Sequence, residues 1–349
     1  MTPFEHGPVE QVRQRADTGL DVDILKQRVG FGGLTLTRKW AVSPSGGPTD
    51  PPARKIVLVH GFAQNRYTWH ATGRSPSTWF ASQGFDVWNL ELRGHGLSRS
   101  GGPGTDSAGQ FSDYVDDAVR LGEALGPAFW IGHSLGGAVS YAAATRVHMH
   151  GVIGIGALYS FAQANRSLKL LCQLSTFVAG PKSPFAGVNI RTRLAGQLIG
   201  RLYGISDVAG YAFPISGWAP GSLEPELLAE RMERGFDWTS LSIWMDMARW
   251  GTAGGFAWDD AWAATQVPLL VIAGDLDHLM PPADARMAFE RSGSHDKKYL
   301  LLDDYTTGHH WGHVDLVLGR HARTWVWGPI LSWIDARVAP DGPRIGSPG

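Results

Sequence analysis

Cysteine is almost absent from this sequence of 349 residues, which has only Cys172. A single thiol excludes a disulfide within the chain, so the fold must be stabilised by its core alone. We therefore expect a protein of a reducing compartment, the cytoplasm. Cys172 could be a core residue or a nucleophile. We favour the core, because a free cysteine usually behaves as a small buried hydrophobic residue.

Long apolar runs and an excess of charge of one sign are also missing. The first 30 residues carry charges throughout, and about 18 consecutive apolar residues occur nowhere, so we expect neither a signal peptide nor a membrane-spanning helix. The 31 Lys and Arg residues balance 32 Asp and Glu residues, for a net charge of −1. Since phosphate contacts require clustered positive charge, we expect no nucleic-acid partner.

What the sequence does contain is typical of an α/β protein with a sizeable core. Hydrophobic residues make up 43% of the chain. Partial alternation predicts a strand at 34–40, and short apolar runs predict buried strands at 56–59, 85–90, 128–131, 152–155, 268–273 and 299–302. Helical patterns lie between several of these runs, at 112–125, 135–147 and 322–338. Alternating strands and helices predict a parallel or mostly parallel sheet with helices on both faces.

This alternation stops between about residue 160 and residue 265, where helical patterns at 223–234 and 238–250 stand out. We interpret residues 159–265 as a helical cap insertion between two segments of one core, 31–158 and 266–338. Residues 1–30 are polar and weakly patterned and predict a loose N-terminal arm. Residues 339–349, rich in Pro, Gly and Ser, predict a frayed tail.

The motif that carries chemistry is Gly132-His133-Ser134-Leu135-Gly136, between a predicted strand and a predicted helix. Gly-x-Ser-x-Gly in that context is typical of a nucleophile elbow, in which the two glycines allow strand and helix to approach closely. A serine hydroxyl needs a base to accept its proton, and the base needs an anionic partner. Acids follow the predicted strand 268–273, and histidines follow the predicted strand 299–302.

Several segments together resemble the serine hydrolases of the α/β-hydrolase fold, of lipase and esterase type. They are His60-Gly61-Phe62, Leu90 to Ser98, Gly132 to Gly137, Gly274 to Asp277 with Pro281, and Gly312 to Gly319, the last being similar to the histidine segment of acid-lipase-like enzymes. The resemblance implies Ser134 as nucleophile, Asp277 as acid and His313 as base. It also implies that the backbone N–H groups of Phe62 and Leu135 form an oxyanion hole.

Alternatives remain open at each of these positions. Asp275 is a rival for the acid, and His309 is a rival for the base. His309, His310 and His313 could also suggest a metal site, but no acidic or cysteine ligand follows at metal-site spacing, so we expect no metal. The insertion holds six tryptophans, which either pack the cap or line an apolar pocket: Trp218, Trp238, Trp244, Trp250, Trp258 and Trp262.

The resemblance implies hydrolysis of a carboxylic ester with an apolar part, through an acyl-enzyme and without a cofactor. The expected partner is a small apolar acyl substrate, and the oligomeric state stays open. The same triad could act on an amide, thioester or C–C bond, or transfer an acyl group to an alcohol. A non-catalytic binding protein on the same fold is the alternative from another class.

Overall fold

The computed structural model describes residues 3–43, 49–99, 108–179, 189–191 and 217–338. Its centre is a nine-stranded sheet in the order β1-β2-β3-β5-β4-β6-β7-β10-β11. The strands are β1 (Phe4–Asp17), β2 (Leu20–Phe31), β3 (Leu34–Ala41), β4 (Lys55–Val59), β5 (Asp86–Glu91), β6 (Phe129–His133), β7 (Gly151–Ile155), β10 (Leu269–Gly274) and β11 (Lys297–Leu302).

The strands from β5 to β11 in this order run parallel to one another, whereas β1, β2, β3 and β5 pair antiparallel. All seven strands predicted from the sequence are present, with ends that differ by one or two residues. Strands β4, β6, β7 and β10 are buried on both faces, which is why they appear in the sequence as continuous apolar runs. The mostly parallel sheet is confirmed.

The predicted N-terminal arm is wrong, because residues 4–31 form two strands of the central sheet. Asp17 pairs with Leu20 across a two-residue turn, and Gly19 takes a φ of +75° there. Most of β1 is exposed, so the strand needs no apolar alternation and gives no sequence signal for a buried strand. Its pairing depends instead on backbone hydrogen bonds and on cross-strand ion pairs such as Arg15 with Asp21, 2.7 Å apart.

Helices cover both faces of the sheet, as predicted. One apolar core lies between the sheet and α2 (Phe111–Leu125) and α3 (Leu135–Ala144). The other lies under α1 (Pro76–Ser82) and the C-terminal helix Gly328–Asp335, which follows a π-helical turn at Arg323–Trp327. Short 3-10 turns at Arg66–Thr68 and Gly96–Ser98 follow β4 and β5. Between β10 and the C-terminal helix lie the helices Pro282–Arg291, Asp304–Thr307 and Asp315–Leu318.

The insertion is mainly helical where the structure describes it. Its helices are α4 (Arg166–Ala179), α5 (Pro225–Arg234), α6 (Leu241–Arg249), a π-helical turn Trp250–Gly254 and α7 (Asp259–Ala264). Two short strands, β8 (Asn189–Arg191) and β9 (Trp238–Ser240), pair antiparallel. The helix predicted to begin at residue 238 therefore begins at Leu241, because residues 238–240 form the strand β9.

The division into core and cap stays a prediction. Residues 180–188 and 192–216 of the predicted cap, and the predicted tail at 339–349, lie outside the described residues. Within the described part of the chain, no helix has the length and apolarity required to cross a membrane.

Arg74 connects three distant parts of the fold through one buried guanidinium group. Its Nε donates to Asp17 Oδ1 at 2.8 Å, and its Nη1 donates to Glu224 Oε2 at 2.9 Å and to the Leu318 carbonyl at 2.8 Å. Only 3% of the Arg74 side chain is exposed. The N-terminal hairpin, the start of α5 and the end of the short helix Asp315–Leu318 are thus joined by charge-assisted hydrogen bonds.

We expect Arg74→Met to lower the free energy of unfolding by about 3 kcal/mol, because the variant removes the buried cation of Asp17 and leaves that carboxylate only the more distant Arg323, at 3.5 Å. Urea unfolding followed by circular dichroism measures this change. Arg13→Met is the matched control, since Arg13 and its partner Asp23 are 67% and 42% exposed and their ion pair is screened by water. Equal destabilisation by both variants would contradict the connecting role of Arg74.

Candidate active site

The predicted functional residues gather at the carboxyl edge of the parallel strands. Ser134 directly follows β6, Asp277 lies three residues beyond β10, and His313 lies in the loop beyond β11. Strands β6, β7, β10 and β11 are consecutive neighbours in the sheet. Because parallel strands end at the same edge, residues separated by up to 179 positions in the chain meet there.

Ser134 occupies a strained turn between β6 and α3. Its backbone has φ 57° and ψ −124°, which an L-residue rarely adopts. A Cβ on Gly132 would lie 2.4 Å from the Gly136 oxygen, and one on Gly136 would lie 2.4 Å from the Val59 oxygen. The predicted reason for both glycines, close approach of strand and helix, is therefore confirmed. The turn places Ser134 at the N-terminus of α3, where the helix dipole is positive.

Asp277 and His313 form a buried hydrogen-bonded pair. His313 Nδ1 lies 2.7 Å from Asp277 Oδ2, and the two side chains are 3% and 0% exposed. The other carboxylate oxygen, Oδ1, accepts the Met280 N–H at 2.7 Å. With a carboxylate at Nδ1, the proton of a neutral imidazole is held on that nitrogen, and Nε2 is left as the basic atom.

The segment after β7 contacts both Ser134 and this pair. Ser134 N–H donates to the Ile155 carbonyl, and Leu158 N–H donates to the Ser134 carbonyl, each at 3.1 Å. A Cβ on Gly156 would lie 2.9 Å from Asp277 Oδ2 and 3.1 Å from His313 Nδ1. Gly156 also has a φ of +48°. One short segment thus fixes the elbow and leaves room for the acid–imidazole pair.

Two further histidines hold the surrounding backbone. His133 Nε2 donates to the His313 carbonyl at 3.0 Å, and its ring lies 4.4 Å from the His313 ring. Burial, with a smaller contribution from His313, keeps the pKa of His133 well below its usual value. The neutral His133 therefore fixes the His313 backbone without adding a second cation beside it.

His60 performs the same task on the loop after β4. Its Nε2 accepts the Leu92 N–H at 3.0 Å, so Nδ1 carries the proton and donates to the Gly61 carbonyl at 2.9 Å. Gly61 is packed against the elbow, since a Cβ there would lie 2.9 Å from Ser134 Cβ. Phe62 follows, and Ala63 has a positive φ of 56°. This loop brings Phe62 to the same edge of the sheet as Leu135, the first residue of α3.

The rival residues are used elsewhere. Asp275 Oδ1 accepts the Trp311 N–H at 2.8 Å, and Asp275 Oδ2 pairs with His310 Nδ1, which raises the pKa of His310. The exposed His309 ring stacks on His321 at 3.7 Å. The geometry therefore pairs Asp277 with His313, whereas Asp275 is bonded to His310 and Trp311, which precede His313 in the chain.

The structure also changes the set of residues that could together hold a metal ion. Among the described residues, the ligand atoms that come within 4.8 Å of one another belong to Asp275, Asp304 and His310. The set excludes His309 and His313, and it includes two acids that the sequence spacing did not connect with the histidines. The absence of a metal from the mechanism stays a prediction.

Cys172 is buried, and burial raises the pKa of its thiol to about 11.

Asp315 is a structural residue of the site that appeared in the sequence only as part of the histidine segment. It is fully enclosed, and its Oδ2 accepts the Gly312 N–H at 2.9 Å and the Ala219 N–H at 3.2 Å. Burial raises the pKa of Asp315 to about 6. The carboxyl group thereby joins the loop that carries His313 to the insertion.

Most tryptophans of the insertion serve packing. Trp250 and Trp258 contact Phe111 of α2, at ring distances of 4.7 Å and 5.5 Å, and Trp262 is buried with its indole N–H bonded to the Ala288 carbonyl. Trp244 differs, because it is half-buried and its ring lies 6.3 Å from that of Phe62. This contact places Trp244 beside the loop that follows β4.

Comparisons with known proteins agree with this architecture. A family model described as the alpha/beta hydrolase family matches residues 56–324. A monoacylglycerol lipase of Mycolicibacterium smegmatis is 26% identical over 266 residues, which cover 71% of this chain and 79% of the relative.

Solved structures of low sequence identity share the fold. The monoacylglycerol lipase of Paleococcus ferrophilus is 16% identical with a TM-score of 0.57, covering 95% of this chain and 100% of that one. A soluble variant of the Saccharomyces cerevisiae monoglyceride lipase is 21% identical with a TM-score of 0.57, covering 90% and 95%. A thermophilic esterase of Thermogutta terrifontis is 17% identical with a TM-score of 0.56, covering 95% and 100%. The predicted α/β-hydrolase fold is confirmed.

We expect Gly156→Ala to reduce kcat for an ester substrate at least tenfold, because the added methyl group would displace Asp277 and His313 by contact. Steady-state kinetics with a p-nitrophenyl ester, alongside thermal unfolding, measure the change. Gly84→Ala is the matched control, since Gly84 also has a positive φ, of 84°, but a Cβ there would meet nothing within 4 Å. Loss of the same share of activity in both variants would show that strain alone is responsible.

Asp315 also predicts a pH dependence of stability. Its folded pKa of about 6 is raised above the unfolded value, so the folded state binds the proton more tightly and stability falls as the pH rises from about 4 to 6. The raised pKa corresponds to a loss on the order of 3 kcal/mol across that interval. We expect Asp315→Asn to remove this component, measured by urea unfolding at pH 4 and pH 7. An unchanged difference between the two pH values would contradict it.

Proposed function

Because this chain belongs to the α/β hydrolase family, we propose that it is a serine hydrolase that cleaves carboxylic esters with an apolar part. The observation that carries the proposal is the buried Asp277–His313 pair at the same sheet edge as Ser134, which stands on a strained turn. A nucleophile, a base and an acid that orients the base make up the triad by which many serine enzymes transfer acyl groups.

In the acylation step, Ser134 Oγ attacks the ester carbonyl carbon and its proton passes to His313 Nε2. Asp277 stabilises the imidazolium through the hydrogen bond at Nδ1, 2.7 Å long. The carbonyl oxygen becomes an oxyanion, for which we propose the Phe62 and Leu135 N–H groups as donors. Loss of one such donor typically costs about 10²–10³ in turnover. The intermediate then collapses, and the leaving alcohol takes the proton from His313.

Deacylation repeats these steps with water as nucleophile. His313 Nε2 takes a proton from the water as it attacks the acyl-enzyme carbonyl. The same two N–H groups would hold the second oxyanion. Collapse releases the carboxylic acid, and Ser134 Oγ recovers its proton from His313. No redox step occurs in the cycle, and His313 takes part in all four of its proton transfers.

An aromatic group beside the Phe62 loop supports an apolar acyl or alcohol part of the substrate. Trp244 lies between Phe62 and Phe161, at ring distances of 6.3 Å and 6.4 Å, and its indole N–H donates to Ser175 Oγ at 3.1 Å. Ligand pockets are mostly apolar and aromatic. Since similar proteins include monoacylglycerol lipases, a monoacylglycerol is the first natural ester to test.

Two related proposals concern the organisation of the protein. We propose that residues 159–265 act as a cap over Ser134, which the proximity of Trp244 to Phe62 supports. A cytoplasmic location, expected from the single cysteine, stays a prediction.

We expect His313→Gln to lower kcat/KM for a p-nitrophenyl ester by about 10⁴-fold or more, because no other group would take the Ser134 proton. His309→Gln is the matched control, and we expect its activity to stay within about threefold of the wild type, since removal of an exposed ring leaves the buried pair intact. Steady-state kinetics at pH 8 measure both variants, and circular dichroism verifies folding.

The reverse pattern, with His309→Gln inactive and His313→Gln active, would transfer the role of base to His309.

A panel of monoacylglycerol, thioester, anilide and acyl-acceptor substrates then tests which type of bond the protein cleaves and which acceptor takes the acyl group. The proposal requires the highest kcat/KM for an ester with water as acceptor. Folded wild-type protein that turns over none of these substrates would favour the non-catalytic alternative.

A further inference from the structure

A cavity of about 910 Å³ lies on the antiparallel side of the sheet. Its walls come from β1, β2, β3 and β5, from the turn after β4 and from the end of α5. Ser134, Asp277 and His313 are not among the described residues that line it. The proposed ester hydrolysis therefore gives this cavity no role.

Positive charge is concentrated in the cavity. Five of its lining residues are cationic, namely Lys26, Lys39, Arg28, Arg66 and Arg234, against the two acids Glu5 and Glu10. Lys26 and Lys39 are direct cross-strand partners in the β2–β3 pair. Like charges at such a position normally destabilise a sheet, so the arrangement calls for a compensating anion.

Lys39 is the most deeply placed of these cations. The residue is only 1% exposed, and its Nζ donates to Ser77 Oγ and Thr78 Oγ1 at 3.0 Å and to His70 Nδ1 at 3.3 Å. All three acceptors are neutral, and within the described residues no carboxylate pairs with this ammonium group. Buried charges in proteins are ordinarily paired.

The titration of the neighbouring groups reflects this excess of positive charge. Burial, reinforced by Lys26 and Arg66, holds the pKa of Lys39 well below its usual value. The pKa of His70 is lowered to about 2, first by burial and then by the positive charges of Lys39, Lys26, Arg66 and Arg234. An anion in the cavity would relieve this mutual repulsion.

Some of the positive charge is already compensated. Arg66 Nη1 pairs with Glu91 Oε1 at 3.0 Å, and Arg234 Nη1 pairs with Glu230 Oε1 at 3.1 Å. Glu10 lies opposite Lys26 in the β1–β2 pair, but no ion pair joins the two among the described residues. The uncompensated part of the charge therefore consists of Lys26, the buried Lys39 and Arg28, which lies opposite Thr37.

The side-chain oxygen of Asn89 is a buried acceptor that a ligand hydroxyl group would satisfy. Thr37 lies between Arg28 of β2 and Asn89 of β5 as the cross-strand partner of both. Asn89 Nδ2 donates to the Arg66 carbonyl at 3.1 Å, whereas its Oδ1 is buried and accepts no hydrogen bond from the described residues. A buried acceptor of this kind requires a donor, and a ligand hydroxyl would supply one.

We propose that this cavity binds a polyol phosphate, with its phosphate group near Lys26 and Arg28 and a hydroxyl group donating to Asn89 Oδ1. A dianion matches the excess of positive charge better than a monoanion, and guanidinium groups bind phosphate oxygens in pairs. The volume is that of a small organic ligand and exceeds the space that a bare ion fills.

Isothermal titration calorimetry of the full-length protein with glucose 6-phosphate tests this proposal. We expect binding that weakens with added salt, and a loss of at least tenfold in affinity in the double variant Lys26→Gln/Arg28→Gln. Arg13→Gln, on the exposed part of β1, is the matched control and should change the affinity less than twofold. Thermal unfolding verifies that each variant is folded. Ester hydrolysis by the double variant should stay within about twofold of the wild type.

Three further ligands separate the parts of the proposal. Ethyl phosphate lacks the hydroxyl groups, glucose lacks the charge, and malate replaces phosphate by carboxylates. The proposal requires glucose 6-phosphate to bind more tightly than each of them. Absence of binding by the wild type, equal affinity in the double variant, or tighter binding of malate would overturn it. Because the readout is binding, the result does not depend on whether Ser134 is a nucleophile.

Discussion

The hydrogen bond between His313 Nδ1 and Asp277 Oδ2, 2.7 Å long and closed to solvent, is the interaction on which the rest of the site depends. It fixes which imidazole nitrogen is basic and gives the imidazolium a counter-charge where water cannot screen it. In the proposed mechanism, this pair is what makes the Ser134 hydroxyl reactive. The surrounding residues can be understood by how they keep this pair in place.

The supporting contacts act on the backbone from several sides. His133 holds the His313 carbonyl, and Asp315 binds the N–H of Gly312 just before it. Met280 N–H occupies the second oxygen of Asp277. Gly156 contributes by lacking a side chain, since any Cβ would contact both partners. Because these contacts come from β6, β7, β10 and the last loop, the geometry of the pair depends on the whole parallel sheet.

The parallel part of the sheet and the elbow could be predicted from the sequence because both leave local patterns. Strands buried on both faces appear as short apolar runs, and the elbow requires glycines at two fixed spacings. The hairpin β1–β2 could not be recognised, since its outer strand is largely exposed and pairs through backbone groups and ions. A strand of this kind has no apolar period to detect.

The roles of Gly156 and Asp315 were beyond sequence reasoning for another reason. Each depends on contacts between segments far apart in the chain, such as Asp315 with the Ala219 N–H. In the sequence, the resemblance favours Asp277 over Asp275 as partner of His313. The geometry adds a physical reason, because Asp275 is bonded to the Trp311 N–H. The cationic cavity was equally hidden, since its charges are scattered in the sequence and converge only through strand register.

Covalent labelling with a fluorophosphonate, followed by peptide mass spectrometry, is the most direct measurement of the central claim. The reagent reacts with serine only where a base removes its proton and an oxyanion site is preformed. The account predicts one adduct per chain, on the peptide that contains Ser134, and no adduct after heat denaturation. Absence of labelling in the folded protein, or an adduct on a different residue, would contradict it.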